Sequence, residues 1–156
     1  SLLAEACAWA MDKGMHFQAM LADIYCKYGF SMEVGVSVVR PGKTGAEEIQ
    51  AMMKNFRENP PKTLAGAAVT EVKDYETLDL TKADGTKEKL NFPTTSNVLQ
   101  WFTEDNSKIS VRPSGTEPKI KFYMEVSVPM NSPEEYDAAR VQASAKIEAL
   151  KKDLGI

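Results

Sequence analysis

A chain of 156 residues with 43% hydrophobic and 26% charged residues has the apolar mass for one buried core, and its length corresponds to one ordinary domain with room for an appendage. Its formal net charge of −3, with a pI near 5.3, argues against the basic face by which nucleic-acid modules grip phosphate backbones. It leaves room for a local basic pocket, because a cleft responds to nearby charge and not to the total.

The first predicted element, Leu2–Met11, is apolar nearly all the way round, which predicts a helix buried on most sides and ended by Gly14. Neither it nor any other apolar run approaches the ~20 residues that cross a bilayer. The start Ser1-Leu2-Leu3-Ala4-Glu5 lacks the basic stretch and cleavage site of a secretory signal, so the expectation is a cytoplasmic protein without a membrane partner. Phe17, Met20, Leu21, Ile24 and Tyr28 then recur at helical spacing, with Gly29 placed as a C-terminal cap. Two helices alone cannot bury this much apolar surface. Residues 1–29 therefore read as the end of a preceding domain, and Gly29–Met32 as a hinge. Cys7 and Cys26 fall in these helices and read as buried, inert thiols of a reducing compartment. His16, the single histidine, reads as a surface or capping residue, and its solitude excludes a His-based triad or multi-His metal site within the chain.

Met32–Val39 alternates with a period of two and is rich in valine, predicting a strand. Thr44-Gly45-Ala46-Glu47 is a capping-box pattern opening a helix with Ile49, Met52, Met53 and Phe56 on one face, terminated by Pro60 and Pro61. Candidate strands follow at Ala67–Lys73, Glu88–Phe92, Val98–Thr103, Lys108–Arg112 and Lys119–Val128, with turns at Asp84-Gly85 and at residues 104–107. In the last strand Ile120, Phe122, Met124 and Val126 face one way, and Lys119, Lys121, Tyr123 and Glu125 the other. Ser132-Pro133-Glu134-Glu135 is a second capping box, opening a helix whose stripe runs from Tyr136 through Ala139, Ala143, Ile147 and Leu150 to Leu154. This order predicts an α+β domain, with two helices laid on one face of an antiparallel sheet.

The most specific chemistry lies between the last two strands, in Arg112-Pro113-Ser114-Gly115-Thr116-Glu117-Pro118-Lys119. An arginine fork grips two phosphate oxygens at once, Ser114 and Thr116 offer hydroxyl donors, and Gly115 lets main-chain N–H groups approach an anion with no Cβ in the way. Turns of this kind form anion nests even where no helix follows. Pro113 and Pro118 stiffen the loop, and the strand alternation sets Lys119 and Lys121 on one side. The bland alternative is a surface turn closed by an Arg112–Glu117 ion pair. A rival phosphate motif, Gly42-Lys43-Thr44, has a strand before it and a helix after it. It lacks the glycine five positions earlier, where Ser37 stands, and reads as an ordinary turn. No carboxylates form a metal-ligand run. Trp101 beside Phe102 reads as strand core and not as a stacking platform.

The run Arg112–Tyr123 closely resembles the phosphate-binding loop of the α-D-phosphohexomutases, and Lys119-Ile120-Lys121-Phe122-Tyr123 is most similar to the phosphoglucomutase branch. Ser96-Asn97-Val98-Leu99-Gln100-Trp101-Phe102 and Gly42-Lys43-Thr44-Gly45-Ala46-Glu47-Glu48-Ile49 resemble that branch too. The resemblance implies the fourth, C-terminal domain of a phosphoglucomutase or phosphomannomutase, a fold like the TATA-binding protein. Residues 1–32 would then be the closing helices of a third, α/β domain plus a hinge, and residues 33–156 the phosphate-binding domain. The implied reaction moves a phosphoryl group between the 1- and 6-positions of a hexose through a bisphosphorylated sugar, with Mg²⁺ assisting. The implied ligands are glucose 1-phosphate, glucose 6-phosphate and glucose 1,6-bisphosphate, and the implied partners are upstream mutase domains. By position Arg112, Ser114, Gly115 and Thr116 match the family's phosphate contacts. Lys121 stands where many members carry a further basic contact, often arginine, and Lys119 adds charge beside it. The family's catalytic serine loop, Asp-rich Mg²⁺ loop and Gly-Glu-x-Ser sugar loop have no match here. No residue is therefore expected to be catalytic or to ligate metal, and the chain alone is expected to be inactive. A stand-alone phosphate- or nucleotide-binding module is the alternative.

Overall fold

A computed structural model describes residues 1–42 and 44–156; Lys43, and with it the middle of the Gly42-Lys43-Thr44 motif, lies outside the described residues. The elements are α1 (Leu2–Asp12), α2 (Phe17–Tyr28), β1 (Phe30–Val39), α3 (Gly45–Glu58), β2 (Thr63–Leu64), β3 (Ala67–Asp74), β4 (Asp79–Lys82), β5 (Lys87–Lys89), β6 (Leu99–Thr103), β7 (Lys108–Pro113), β8 (Lys119–Val128), a short 3-10 turn (Pro133–Glu135) and α4 (Tyr136–Leu154). The chain is α+β. Its sheet runs β1-β8-β7-β6-β3-β4-β5, with β2 paired to β3. By contacts it falls into two compact units, Ser1–Met32 with Ser127–Ala145, and Glu33–Val126 with Lys146–Ile156.

In the first unit, α1 ends at Gly14, whose φ of 71° only glycine adopts without strain. Its N–H donates to Met11 O and that of Met15 to Ala10 O, the paired bonds that close a helix C-terminus. Tyr25 of α2, Phe30 and Tyr136 form an aromatic trio, with Phe30 edge-on to both partners at 5.0 and 5.5 Å. The expectation that α1 is buried on most sides is corrected. Only Ala10 is buried, and Leu2, Leu3, Trp9 and Met11 are exposed at 83%, 62%, 53% and 75%. An all-round apolar helix buries only the faces its neighbours cover, and the main partner of α1 within its unit is α2. Cys7 and Cys26 are free and half-buried, not buried. Burial, then the nearby Asp23, Glu135 and Glu134, push the Cys26 thiol up, which disfavours a reactive thiolate. His16 is exposed at the start of α2, with no side-chain cap bond.

In the second unit, the sheet face that carries Ile109, Val111, Ile120, Phe122, Met124 and Val126 is sealed, each residue at most 1% exposed. Leu99 and Trp101 continue this face on β6, and Phe56 of α3 lies edge-on to Trp101 at 5.2 Å and to Phe122 at 6.2 Å. Trp101 is therefore core, as its strand setting implied. Ile147, Leu150 and Leu154 of α4 are buried as well, and Gly155 at φ 71° ends that helix.

Several local readings are corrected. Neither capping box forms. Thr44 takes helical backbone angles and its hydroxyl meets Glu48 at 3.4 Å, so its side chain does not cap the N–H groups. Ser132 likewise makes no cap bond; Glu135 instead accepts from the Asn131 N–H at 2.8 Å, and a 3-10 turn precedes α4. The strand expected at Glu88–Phe92 is Lys87–Lys89, pairing with an unforeseen β4 through the Asp84-Gly85 turn. The first strand begins two residues earlier than expected, at Phe30.

Candidate phosphate-binding site

β7 and β8 are an antiparallel pair in which Val111 opposes Phe122, Arg112 opposes Lys121 and Pro113 opposes Ile120. Val111, Ile120 and Phe122 are wholly buried, so the pleat turns Arg112 and Lys121 together onto the opposite face. Directly opposed residues on one face have Cβ atoms about 4.5–5.5 Å apart, close enough for both cations to serve one anion. Two like charges at this spacing repel, and neither Arg112 nor Lys121 makes an ion pair among the described residues. Such an arrangement lowers its free energy when an anion arrives.

The ladder extends one step past Pro113, because the Ser114 N–H donates to Lys119 O at 2.8 Å. The remaining connection is tight. Lys119 N–H donates to Glu117 O at 2.7 Å, and the Thr116 N–H lies 3.5 Å from the Ser114 hydroxyl. The N–H groups of Gly115 and Glu117 find no acceptor among the described residues. A Cβ on Gly115 would meet nothing within 4 Å, so the space beside it is open to a ligand. Thr116 is exposed and Ser114 half-buried. The Ser114 N–H is thus spent on the ladder, and its hydroxyl, with the Gly115 and Glu117 amides, forms the usable donor set.

Lys119 behaves differently from Lys121. Its ammonium pairs with Glu117, so the ion pair pictured in the bland alternative exists with Lys119 and not with Arg112. That hydrogen bond and charge, with a smaller contribution from Lys121, hold the Glu117 carboxyl below its ordinary value. The structure therefore brings Arg112, Ser114, Gly115, Thr116 and Lys121 around one open loop, and sets Lys119 at its edge with its charge already engaged. One neighbour escaped the sequence reading. The Arg40 N–H, just past β1, donates to Pro118 O at 2.9 Å. A main-chain bond between distant segments leaves no side-chain signature.

The sequence profile described as "Phosphoglucomutase/phosphomannomutase, C-terminal domain" matches residues 33–143. The chain belongs to the phosphoglucomutase/phosphomannomutase family. Among its relatives, the phosphoglucomutase of Staphylococcus haemolyticus (strain JCSC1435) is 36% identical over 118 residues, 75% of this chain and 21% of the relative. That of Staphylococcus saprophyticus is 34% identical over 120 residues, 76% and 21% respectively. That of Staphylococcus aureus (strain USA300) is 37% identical over 110 residues, 70% and 20%. The chain thus spans about a fifth of the length of the curated relatives it matches. Among the described residues no group of three or more His, Cys, Asp or Glu side chains could hold a metal ion. No helix among them is long and apolar enough to cross a membrane.

Proposed function

We propose that this chain is the phosphate-anchoring, C-terminal part of a cytoplasmic phosphoglucomutase or phosphomannomutase. It holds the non-reacting phosphate of a hexose phosphate while the other phosphate is exchanged. The observation that carries this reading is the unpaired Arg112–Lys121 register pair beside the open amides of Gly115 and Glu117. A phosphate needs a fork, a second charge and main-chain donors, and the loop offers all three. The contacts address phosphate oxygens and not sugar hydroxyls, as required of a site that accepts the sugar in both orientations across a 1,6-transfer. Family membership supports the substrate class. Catalysis, and the Mg²⁺ that the resemblance implies, would belong to residues outside this chain, and the upstream mutase domains would be its partners. Residues 1–32 would close the preceding domain.

Titration of glucose 1,6-bisphosphate into the 156-residue chain tests the site. The expected result is amide chemical-shift change concentrated at residues 112–121. Arg112→Ala should weaken binding about tenfold or more, the scale of a charge-assisted hydrogen bond. Shifts confined elsewhere, or indifference to Arg112→Ala, would overturn the assignment.

A further inference from the structure

The segment after β1 is tied to the anion loop by a main-chain hydrogen bond. The Arg40 N–H donates to Pro118 O at 2.9 Å, on the arm of the loop that returns to β8. Proline has no N–H, so its carbonyl is the one main-chain handle at that position. Next to Pro118, the Lys119 N–H to Glu117 O bond tightens the same arm. Whatever fixes the Arg40 peptide therefore bears directly on where this arm lies.

Gly45 fixes it. An ideal Cβ built on Gly45 would stand 1.7 Å from Arg40 O and 2.7 Å from its carbonyl carbon. This is backbone against backbone, with no flexible side chain to yield, so only glycine allows the approach. Gly45 is buried at the first position of α3, and that helix is docked by Ile49 at 3% exposure and Met53 at 0%. Beyond its Cβ, 3.2 Å from the same point, the Arg40 side chain plays no part in this contact. It turns to Glu48 at 3.8 Å, a half-exposed pair of little energetic weight.

We propose that Gly45 and the Arg40 peptide form a positioning relay for the anion loop. The core sets α3, α3 sets Gly45, Gly45 sets the Arg40 carbonyl, and the Arg40 N–H holds Pro118. The relay rests on the reading of this loop as a phosphate site. Arg40 is thus a positioning residue that acts through its amide, and its charge is not used on the ligand. Gly45 is required for steric closeness and not for backbone freedom.

Arg40→Ala and Arg40→Pro separate amide from charge. The alanine variant keeps the N–H, whereas the proline variant removes it, and the preceding Val39 already lies in a strand as a pre-proline residue prefers. With glucose 1,6-bisphosphate as the probe, Arg40→Ala should bind within about twofold of the parent. Arg40→Pro and Gly45→Ala should each weaken binding about fivefold, the scale of one lost hydrogen bond. Equal binding by Arg40→Ala and Arg40→Pro overturns the relay, as does a folded Gly45→Ala that binds like the parent. Should these variants fail to fold, amide exchange in the parent decides. Exchange at Arg40 should slow severalfold when the ligand saturates the loop, and unchanged exchange overturns the proposal. Arg112→Ala runs in parallel. Binding that ignores Arg112→Ala removes the phosphate reading itself, whereas binding that needs Arg112 and ignores Arg40→Pro removes only the relay.

Discussion

Glu117 limits the positive charge that the loop can present. Three cations crowd this end of the β7–β8 pair, and Glu117 pairs with Lys119 and leaves Arg112 and Lys121 unpaired. The Glu117 side chain is 59% exposed and that of Lys119 23%, so the pair is a surface one. Exposed pairs contribute little, enough for only a modest change in affinity. Glu117→Gln removes a negative charge beside the proposed anion site and releases Lys119 at once. Its affinity for glucose 1,6-bisphosphate should rise about threefold at low ionic strength, and the gain should shrink with added salt. Lys119→Ala alone should change affinity by less than about twofold, because its charge is already engaged. In the Glu117→Gln background the same substitution should erase the gain. Titration of the four proteins at two salt concentrations reads this coupling. Additive effects would show that Lys119 and Glu117 act on the anion independently.

At the scale of elements, Arg57 ties the end of α3 to the turn after β3 and to the segment leading into β6. Its Nε donates to Asp74 at 3.0 Å and its Nη2 to Asn97 Oδ1 at 2.7 Å, and it pairs with Glu76 at 2.6 Å. Arg57 is 20% exposed and Asp74 14%, so this pair is partly desolvated. Arg57→Lys keeps the charge and loses the fork, and should cost about 1 kcal/mol. Arg57→Ala leaves Asp74 half-buried and unpaired, and should cost about 2–3 kcal/mol. Urea midpoints check both, and Arg57→Lys as stable as the parent would show that charge alone suffices. This network also shows where legibility in the sequence ends. β8 could be read to the residue, because one face packs on the core and the other does not, so burial alternates along its length. β4 could not. Asp79–Lys82 is half-buried on both faces, so no alternation marks it, and β5 is exposed throughout. The site was legible in the same uneven way. The residue types of the loop and the shared side of Lys119 and Lys121 follow from one strand's period. The opposition of Arg112 to Lys121 and the capture of Lys119 by Glu117 depend on register and turn geometry, which a single strand's pattern does not carry.

At the scale of the whole molecule, stability should fall on acidification through a carboxylate far in sequence from its main partner. Asp105, in the turn between β6 and β7, receives the ammonium of Lys146 on α4 at 2.6 Å. It also accepts from the Thr103 hydroxyl at 2.5 Å and the Ser107 hydroxyl at 3.0 Å. Burial pushes the Asp105 carboxyl up, but the hydrogen bonds from Lys146, Thr103 and Ser107 outweigh it and hold the group at about 2, against an ordinary 3.8. A carboxyl depressed by folding stabilises the native state fully above its unfolded value and loses that contribution as pH falls through the folded one. The window is therefore pH 4 down to about 2. The shift corresponds to about 2 kcal/mol, reduced by solvent screening to about 1–2 because the Asp105 side chain is 34% exposed. Asp105→Asn should lower the urea midpoint at pH 7 by this amount, leaving Lys146, only 16% exposed, without its partner. The gap between parent and variant should hold from pH 7 to about 5 and close towards pH 2, where the parent's own carboxyl is protonated. A gap that is the same at pH 2 as at pH 7 would mean that the aspartate acts by shape and not by charge. A gap that has already closed at a pH above 5 would place the titration on another group.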